Sequence, residues 1–275
     1  MKRLNLRVLT SLLAGIILVA CTSKKEQQPI VFTHYELEEI VPLMEGVKDS
    51  MRLMVSVDYP TQIESVNETA LHNIRTSLVK HSFGENYCSY GLMDTIIEHF
   101  RQDVISEYRR DNLPLYEQVD EEEFAINLNN EHLLTVSPMG VMGHIVSYAV
   151  ERYLFLGGAH GINNRIFLNF DNQTGHLLTE DDIFVSEASD ALTHLLLLNL
   201  VRQNDDLSLI SDVEASDYEK ESIRPNGNFY FAPEGVVFVF NPYEIGPYYL
   251  GETSICIPRD EIKPYLKTEW NVYVE

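Results

Sequence analysis

The sequence predicts an α+β fold: an antiparallel or mixed sheet packed against helices, preceded by a small amino-terminal α/β region. Three observations carry this expectation. Two long segments in the first half repeat apolar side chains at helical spacing. Most of the second half alternates apolar and polar residues in short runs, punctuated by Gly, Pro and Asn. One leucine-rich helix among those runs is apolar on more than one face and must bury itself against them.

The chain opens on a targeting segment. Lys2, Arg3 and Arg7 form a basic start, Val8 to Ala20 an apolar run, and Leu18-Val19-Ala20-Cys21 closes it. This is the pattern of a lipoprotein signal peptide over residues 1–20, with Cys21 as the acylated first residue after cleavage. An uncleaved membrane helix would have to cross on a run of only roughly 20 Å. An ordinary secretory signal leaves the cysteine at the end of the run without a purpose. The expected address is the cell envelope, lipid-anchored, on the periplasmic or outer-membrane face, with the bilayer as a partner through the lipid. Residues 21–48 then read as a polar tether, within which Ile30 to Glu36 alternates weakly as a first strand.

Residues 49–120 form the small α/β region. Met51, Leu53, Val55 and Val57 alternate along a strand from Met51 to Tyr59, ended by Pro60. Thr61 and Glu64 have the spacing of a capping box, and Ile63, Val66, Ala70, Ile74 and Leu78 follow as a helical stripe that Gly84 stops. A second helix from Leu92 to Arg110 presents Met93, Ile96, Ile97, Phe100, Val104 and Tyr108, and Asp111-Asn112-Leu113-Pro114 breaks it. The acidic run from Glu117 to Glu123 reads as a solvated linker.

Residues 121–275 carry the sheet. Phe124, Ile126 and Leu128 alternate, Asn129-Asn130 turns, and Leu133 to Val136 returns. Val141 to Leu156 is a long strand or a bent pair; Gly157 to Gly161 interrupts, and Asn164 to Phe170 resumes. Asp171-Asn172-Gln173-Thr174-Gly175 is a hairpin turn, and Thr179 with Asp182 caps a short turn into Ile183-Phe184. Ala188 to Arg202 is the leucine-rich helix, and Asp205 to Glu221 an acidic surface insertion. Phe229 to Phe231, Val236 to Phe240 and Thr253 to Ile257 are strands, and Pro258 opens a last short helix through Leu266.

The charge balance narrows the partners. With 42 acidic and 20 basic residues the net charge is −22, and residues 1–20 contain only basic charges, so their removal leaves a still more acidic protein. Nucleic acid is excluded, as is a peripheral grip on an anionic membrane. Cys88 and Cys256 are the cysteines besides Cys21. An oxidising compartment permits a disulfide between them, whereas the apolar neighbours of Cys256 fit a small buried side chain. No two histidines stand three or four apart, there is no nucleotide-binding lysine loop and no Gly-x-Ser-x-Gly elbow, so no metal and no cofactor is expected.

The second half resembles a known family. Tyr153-Leu154-Phe155-Leu156-Gly157-Gly158-Ala159-His160-Gly161, then Asn169-Phe170-Asp171, Thr174-Gly175 and Glu180-Asp181-Asp182-Ile183-Phe184, then Phe238 to Tyr248 and Ile257-Pro258, occur in the order of the DUF3298 family. This is a domain of unknown function found in envelope proteins and lipoproteins. It forms the extracellular part of a lysozyme-sensing anti-sigma factor and accompanies a peptidoglycan deacetylase. Residues 49–120 resemble, more loosely, the DUF4163 region that precedes it. The resemblance implies recognition at the cell wall: a glycan, peptidoglycan, or a basic protein such as lysozyme, whose charge an acidic domain would complement.

Two segments are the candidate site. In Gly157-Gly158-Ala159-His160-Gly161, glycines let the backbone turn and bring His160 forward as a donor or general base. The structural alternative is a strand bend whose imidazole bonds a nearby carbonyl. In Pro242 to Tyr249, prolines and Gly246 stiffen a loop that offers Tyr243, Glu244 and Tyr248 to a ligand, or that caps the core. The main expectation is a binding module. The rivals are an enzyme using His160 with Glu244 or Asp171 as acid and base, and a structural part of an envelope assembly.

Overall fold

The computed structural model describes residues 7–9, 30–118 and 127–273. Most of the expected signal peptide, Cys21, the tether as far as residue 29, and the strand start at Phe124 and Ile126 lie outside the described residues. Among the described residues, nine strands form two sheets with helices packed on them, the α+β arrangement the sequence predicts. The first sheet has the order β1-β2-β3-β4-β5-β6 and the second β7-β8-β9.

Arg7–Leu9 (β1) lies antiparallel to His34–Glu36 of β2 (Ile30–Pro42). The sequence reads Ile30 to Glu36 as a weak first strand and the rest of β2 as tether. It is a strand of 13 residues in which Leu37 and Val41 are the fully buried apolar positions, so its alternation is faint. It pairs antiparallel with β3 (Ser50–Ile63), where Met51, Leu53, Val55 and Val57 are buried as the alternation requires. Pro60 does not end β3. A bulge at Thr61 takes up the irregularity, the Thr61 hydroxyl donates to the Val31 carbonyl at 3.1 Å, and Arg75 braces the Pro60 and Thr61 carbonyls at 2.7 and 2.9 Å. Helix α1 (Glu68–Ser82) therefore starts later than the Thr61 cap implies. Its N-cap is Asn67, whose side chain accepts from the Ala70 amide at 2.9 Å.

Helix α2 (Met93–Gln118) runs through Pro114 rather than breaking before it. Strand β4 (Asn130–Met142) begins at Asn130, so Asn129-Asn130 is not a turn. The segment Val141 to Leu156 is the bent pair: the end of β4, a turn at Gly143 with φ +60°, and β5 (Ile145–Phe155). Strand β6 (Ile162–Asp171) pairs with β5 and forms the far edge of the sheet. β4 is antiparallel to β5 but parallel to β3, so the sheet is continuous across the linker between residues 120 and 121. One core lies between this sheet and α1 and α2.

The turn after β6 docks on α1. Gly175 has φ +70°, and a Cβ there would come within 2.2 Å of the Ala70 carbonyl. Asn67 and Asn73 donate to the Gln173 and Thr174 carbonyls at 3.0 and 2.8 Å. The Thr179–Asp182 capping box forms and opens α3 (Glu180–Ile183). Helix α4 (Ser189–Gln203) and α5 (Arg259–Ile262) pack on β7 (Phe229–Ala232), β8 (Gly235–Phe240) and β9 (Thr253–Pro258) around a second core. The acidic insertion is pinned by the fully buried Val213. Phe167, Val237 and Val239 join the two sheets.

Candidate functional site

The sequence offers the glycine loop and the proline-rich aromatic loop as the two segments of one candidate site. The fold brings them face to face at the start of β6. The His160 and Tyr248 rings stack with centroids 3.7 Å apart and planes 13° from parallel. Tyr243 completes the cluster, 5.6 Å from Tyr248 and 6.5 Å from His160. The Tyr248 hydroxyl donates to the Gly161 carbonyl at 2.8 Å, and His160 Nδ1 is 3.2 Å from the same oxygen. His160 Nε2 faces the Tyr243 hydroxyl at 3.5 Å. His160 contacts a neighbouring carbonyl, as the structural alternative has it, and its side chain is exposed.

Local sequence explains the geometry. Asn241-Pro242-Tyr243-Glu244 is a turn closed by the Glu244 amide donating to the Asn241 carbonyl at 3.0 Å. Proline fits its second position. Its third position requires positive φ, normally a glycine, and here it is Tyr243 at φ +74°. The Glu244 carboxylate locks the turn by accepting from the Asn241 amide at 3.0 Å and from Asn226 Nδ2 at 3.1 Å. The turn therefore presents a tyrosine ring, 54% exposed, from a backbone that costs about 1–3 kcal/mol to hold. On the opposite loop, Gly157 and Gly158 have φ +87° and +91°, and a Cβ on Gly161 would meet the Tyr153 ring at 2.4 Å. Gly157 and Gly158 shape the bend by their positive φ and Gly161 by its close approach to Tyr153; the space beside Gly158 is open.

The proposed acid–base pairs do not assemble. Asp171 is at the opposite end of β6 from His160, roughly 30 Å away at about 3.3 Å per residue. Its carboxylate accepts from the Gln173 and Thr174 amides at 3.1 and 2.8 Å and from the Thr174 hydroxyl at 2.7 Å, which makes it the organiser of the hairpin turn. Glu244 is committed to Asn226 and Asn241.

Asparagines missed by the sequence reading splice the edge of β6 to the second sheet. Asn241 Oδ1 accepts from the Arg165 amide at 2.6 Å, and Asn228 Oδ1 from the Phe167 amide at 2.9 Å. Asn228 Nδ2 donates to the Arg165 and Val239 carbonyls at 2.9 and 3.0 Å, and Asn169 Nδ2 to the Phe229 carbonyl at 2.7 Å. These amides stand in for a neighbouring strand. Arg165 is held between Glu151 and Glu252, each at 3.2 Å. Beside this seam lies a groove of about 520 Å³, lined in part by Glu180, Asn226, Asn228, Asn241 and Glu244. Glu180 Oε1 accepts from the Gly227 amide at 2.7 Å, and burial raises its carboxyl above its ordinary value.

Among the described residues, no group of three or more His, Cys, Asp or Glu side chains is placed to hold a metal ion, and no helix is long and apolar enough to cross a membrane. Cys88 and Cys256 are free thiols.

Residues 181–260 match the family described as "Protein of unknown function (DUF3298)", a range that includes Tyr243, Glu244 and Tyr248 but not His160. The chain is 25% identical over 190 residues to the peptidoglycan-N-acetylmuramic acid deacetylase PdaC of Bacillus subtilis, covering 65% of this chain and 37% of that protein. It therefore spans little more than a third of that relative. A DUF3298-family crystal structure from Bacteroides fragilis superposes with a TM-score of 0.80 at 24% identity, over 90% of this chain and 98% of the other. One from Pseudomonas aeruginosa gives 0.59 at 16% identity, over 89% and 96%. At these identities the likeness is one of fold.

Proposed function

We propose that this chain, which carries a DUF3298 domain, is a lipid-anchored envelope binding module whose aromatic surface of His160, Tyr243 and Tyr248 holds a cell-wall glycan. One observation carries the reading. A tyrosine occupies a left-handed turn position where glycine would be free of strain, and its ring is displayed to solvent beside a stacked His–Tyr pair. Strain kept at an exposed aromatic position is the mark of a selected contact. Flat apolar faces with hydroxyl and imidazole edges suit sugar rings, which present C–H faces and hydroxyl rims. The deacetylase to which the chain is similar is named for a peptidoglycan sugar, which supports a wall glycan as the ligand class.

The reading is of binding rather than chemistry, because the carboxylates of Asp171 and Glu244 are each engaged in closing a turn. A second reading, a basic protein ligand such as lysozyme, is favoured by the net charge of −22. Calorimetry of the full-length protein in detergent distinguishes them. Muropeptides and chitin oligomers should bind with little salt dependence, and His160→Ala should lower their affinity by at least about tenfold. Lysozyme binding that vanishes at high salt and survives His160→Ala would favour the protein ligand. The anchor is tested separately: Cys21→Ser should release the protein from membranes.

A further inference from the structure

Helices α1 and α2 cover one face of the first sheet, and the second sheet covers the β5–β6 end of the other face through Phe167, Val237 and Val239. Across the rest of that other face a row of side chains runs straight over the strands. Glu38 of β2 stands opposite Met54 of β3, Met54 opposite Leu133 of β4, Leu133 opposite Tyr153 of β5, and Tyr153 opposite Asn163 of β6. Met54, Leu133 and Tyr153 are partly exposed, and among the described residues none of them belongs to the cores that hold the fold together. A sheet face turned to water normally carries polar side chains, so three apolar ones in register there mark a contact surface.

The row begins at the aromatic cluster. Gly161 sits on the Tyr153 ring, so closely that a Cβ would meet it at 2.4 Å, and the carbonyl of the same glycine accepts the Tyr248 hydroxyl at 2.8 Å. One residue thus touches both surfaces. We infer that the glycan of the reading above, on which this inference rests, is held along its length as an extended chain. One sugar lies at His160, Tyr243 and Tyr248, and the next ones cross Tyr153, Leu133 and Met54 in turn.

Spacing and chemistry fit this occupant. Successive strands are about 4.8 Å apart, close to the length of one sugar residue in an extended β-1,4-linked chain, so each strand meets one sugar. Ser56 and Thr135 border the row on one side, and Arg52 and Glu131 on the other. An apolar floor between polar margins suits rings with C–H faces and hydroxyl rims. Charge disfavours a second copy of the chain as the occupant. Two copies at −22 each repel, and Glu38 and Glu131 stand at the row, whereas N-acetylated sugars are neutral.

Calorimetry on the full-length protein in detergent compares the chitin dimer, tetramer and hexamer. Affinity should rise about tenfold from dimer to tetramer and little beyond it, as the cluster and the three row positions fill. Leu133→Ser and, separately, Met54→Ser should bring the tetramer-to-dimer ratio close to one. Both side chains lie outside the cores, and thermal unfolding checks that each variant folds. Equal binding of all three oligomers by the unaltered protein overturns this inference and leaves the glycan reading standing. A length dependence that survives both substitutions does the same. Binding of none overturns both. A protein that light scattering shows to be a dimer, and that Leu133→Ser turns into a monomer, overturns the assignment of the row to a glycan in favour of a second copy.

Discussion

Tyr248 stacks on His160 and also donates its hydroxyl to the carbonyl of Gly161, the residue after that histidine. One side chain thus fixes both the ring and the backbone of the opposite loop. Removing only the hydroxyl separates these roles. Tyr248→Phe should lower stability by about 1 kcal/mol and glycan affinity only a few-fold, because the stack remains. His160→Ala should lower affinity by at least about tenfold with little change in melting temperature. Calorimetric titration alongside thermal unfolding reads both.

Tyr243 allows a test in which stability and binding move apart. Tyr243→Gly relieves a backbone at φ +74° while adding chain entropy to the unfolded state. The net effect should lie between no change and about 2 kcal/mol of added stability. Ligand binding should be lost. A Tyr243→Gly protein that is markedly less stable would mean that the ring is a packing element and not a displayed contact.

The asparagine seam predicts costs out of proportion to side-chain size. Asn228→Ala leaves the Phe167 amide without its side-chain acceptor and removes one of the two amide donors to the Arg165 carbonyl, Asn241 Nδ2 remaining at 3.1 Å. Urea denaturation should register a loss of about 1–3 kcal/mol. Asn228→Asp keeps the acceptor for Phe167 but sets a buried carboxylate oxygen against the Arg165 and Val239 carbonyls, and should cost at least as much as Asn228→Ala near neutral pH.

Acid sensitivity should come from two histidines. Burial lowers the His132 imidazole below its ordinary value, and burial with Lys80 and Arg152 lowers that of His81. The unfolded chain, titrating near about 6.5, then binds more protons than the folded one just below that pH. Their contribution is present above about 6.5 and is lost as pH falls through the lowered folded values. Urea midpoints measured against pH should decline over that range, and His132→Phe should flatten the decline.

Much of this was legible in local patterns. The alternation of Met51 to Val57, the helical stripes of α1 and α2, the Thr179–Asp182 box and the two site loops are all one-dimensional signals, and each corresponds to the element observed. The misreadings arise where tertiary partners override such signals. Thr61 and Glu64 mimic a cap, but Arg75 and the bulge hold that segment in β3. Pro114 is tolerated because it lies near the end of a helix already anchored by Met93, Ile97, Val104 and Tyr108. Strand β2 is poorly marked because three of its residues, Glu36, Glu38 and Glu39, are charged, as suits a strand near a sheet edge. The asparagines of the seam look like turn formers because their role depends on a strand far off in sequence. The meeting of His160 with Tyr248 depends on the fold of the whole second half.

The parallel register of β3 with β4 has a consequence for biogenesis. Residues Met51 to Val57 hydrogen-bond a strand made only after both intervening helices have left the ribosome. Such a non-local pairing is entropically slow to close, and until it does one side of β3 offers unpaired backbone groups and four large apolar side chains to any passing chain. The nascent amino-terminal half thus carries an edge open to mispairing, and a fragment cut at the linker would bring the same sticky edge into the finished product, on β4.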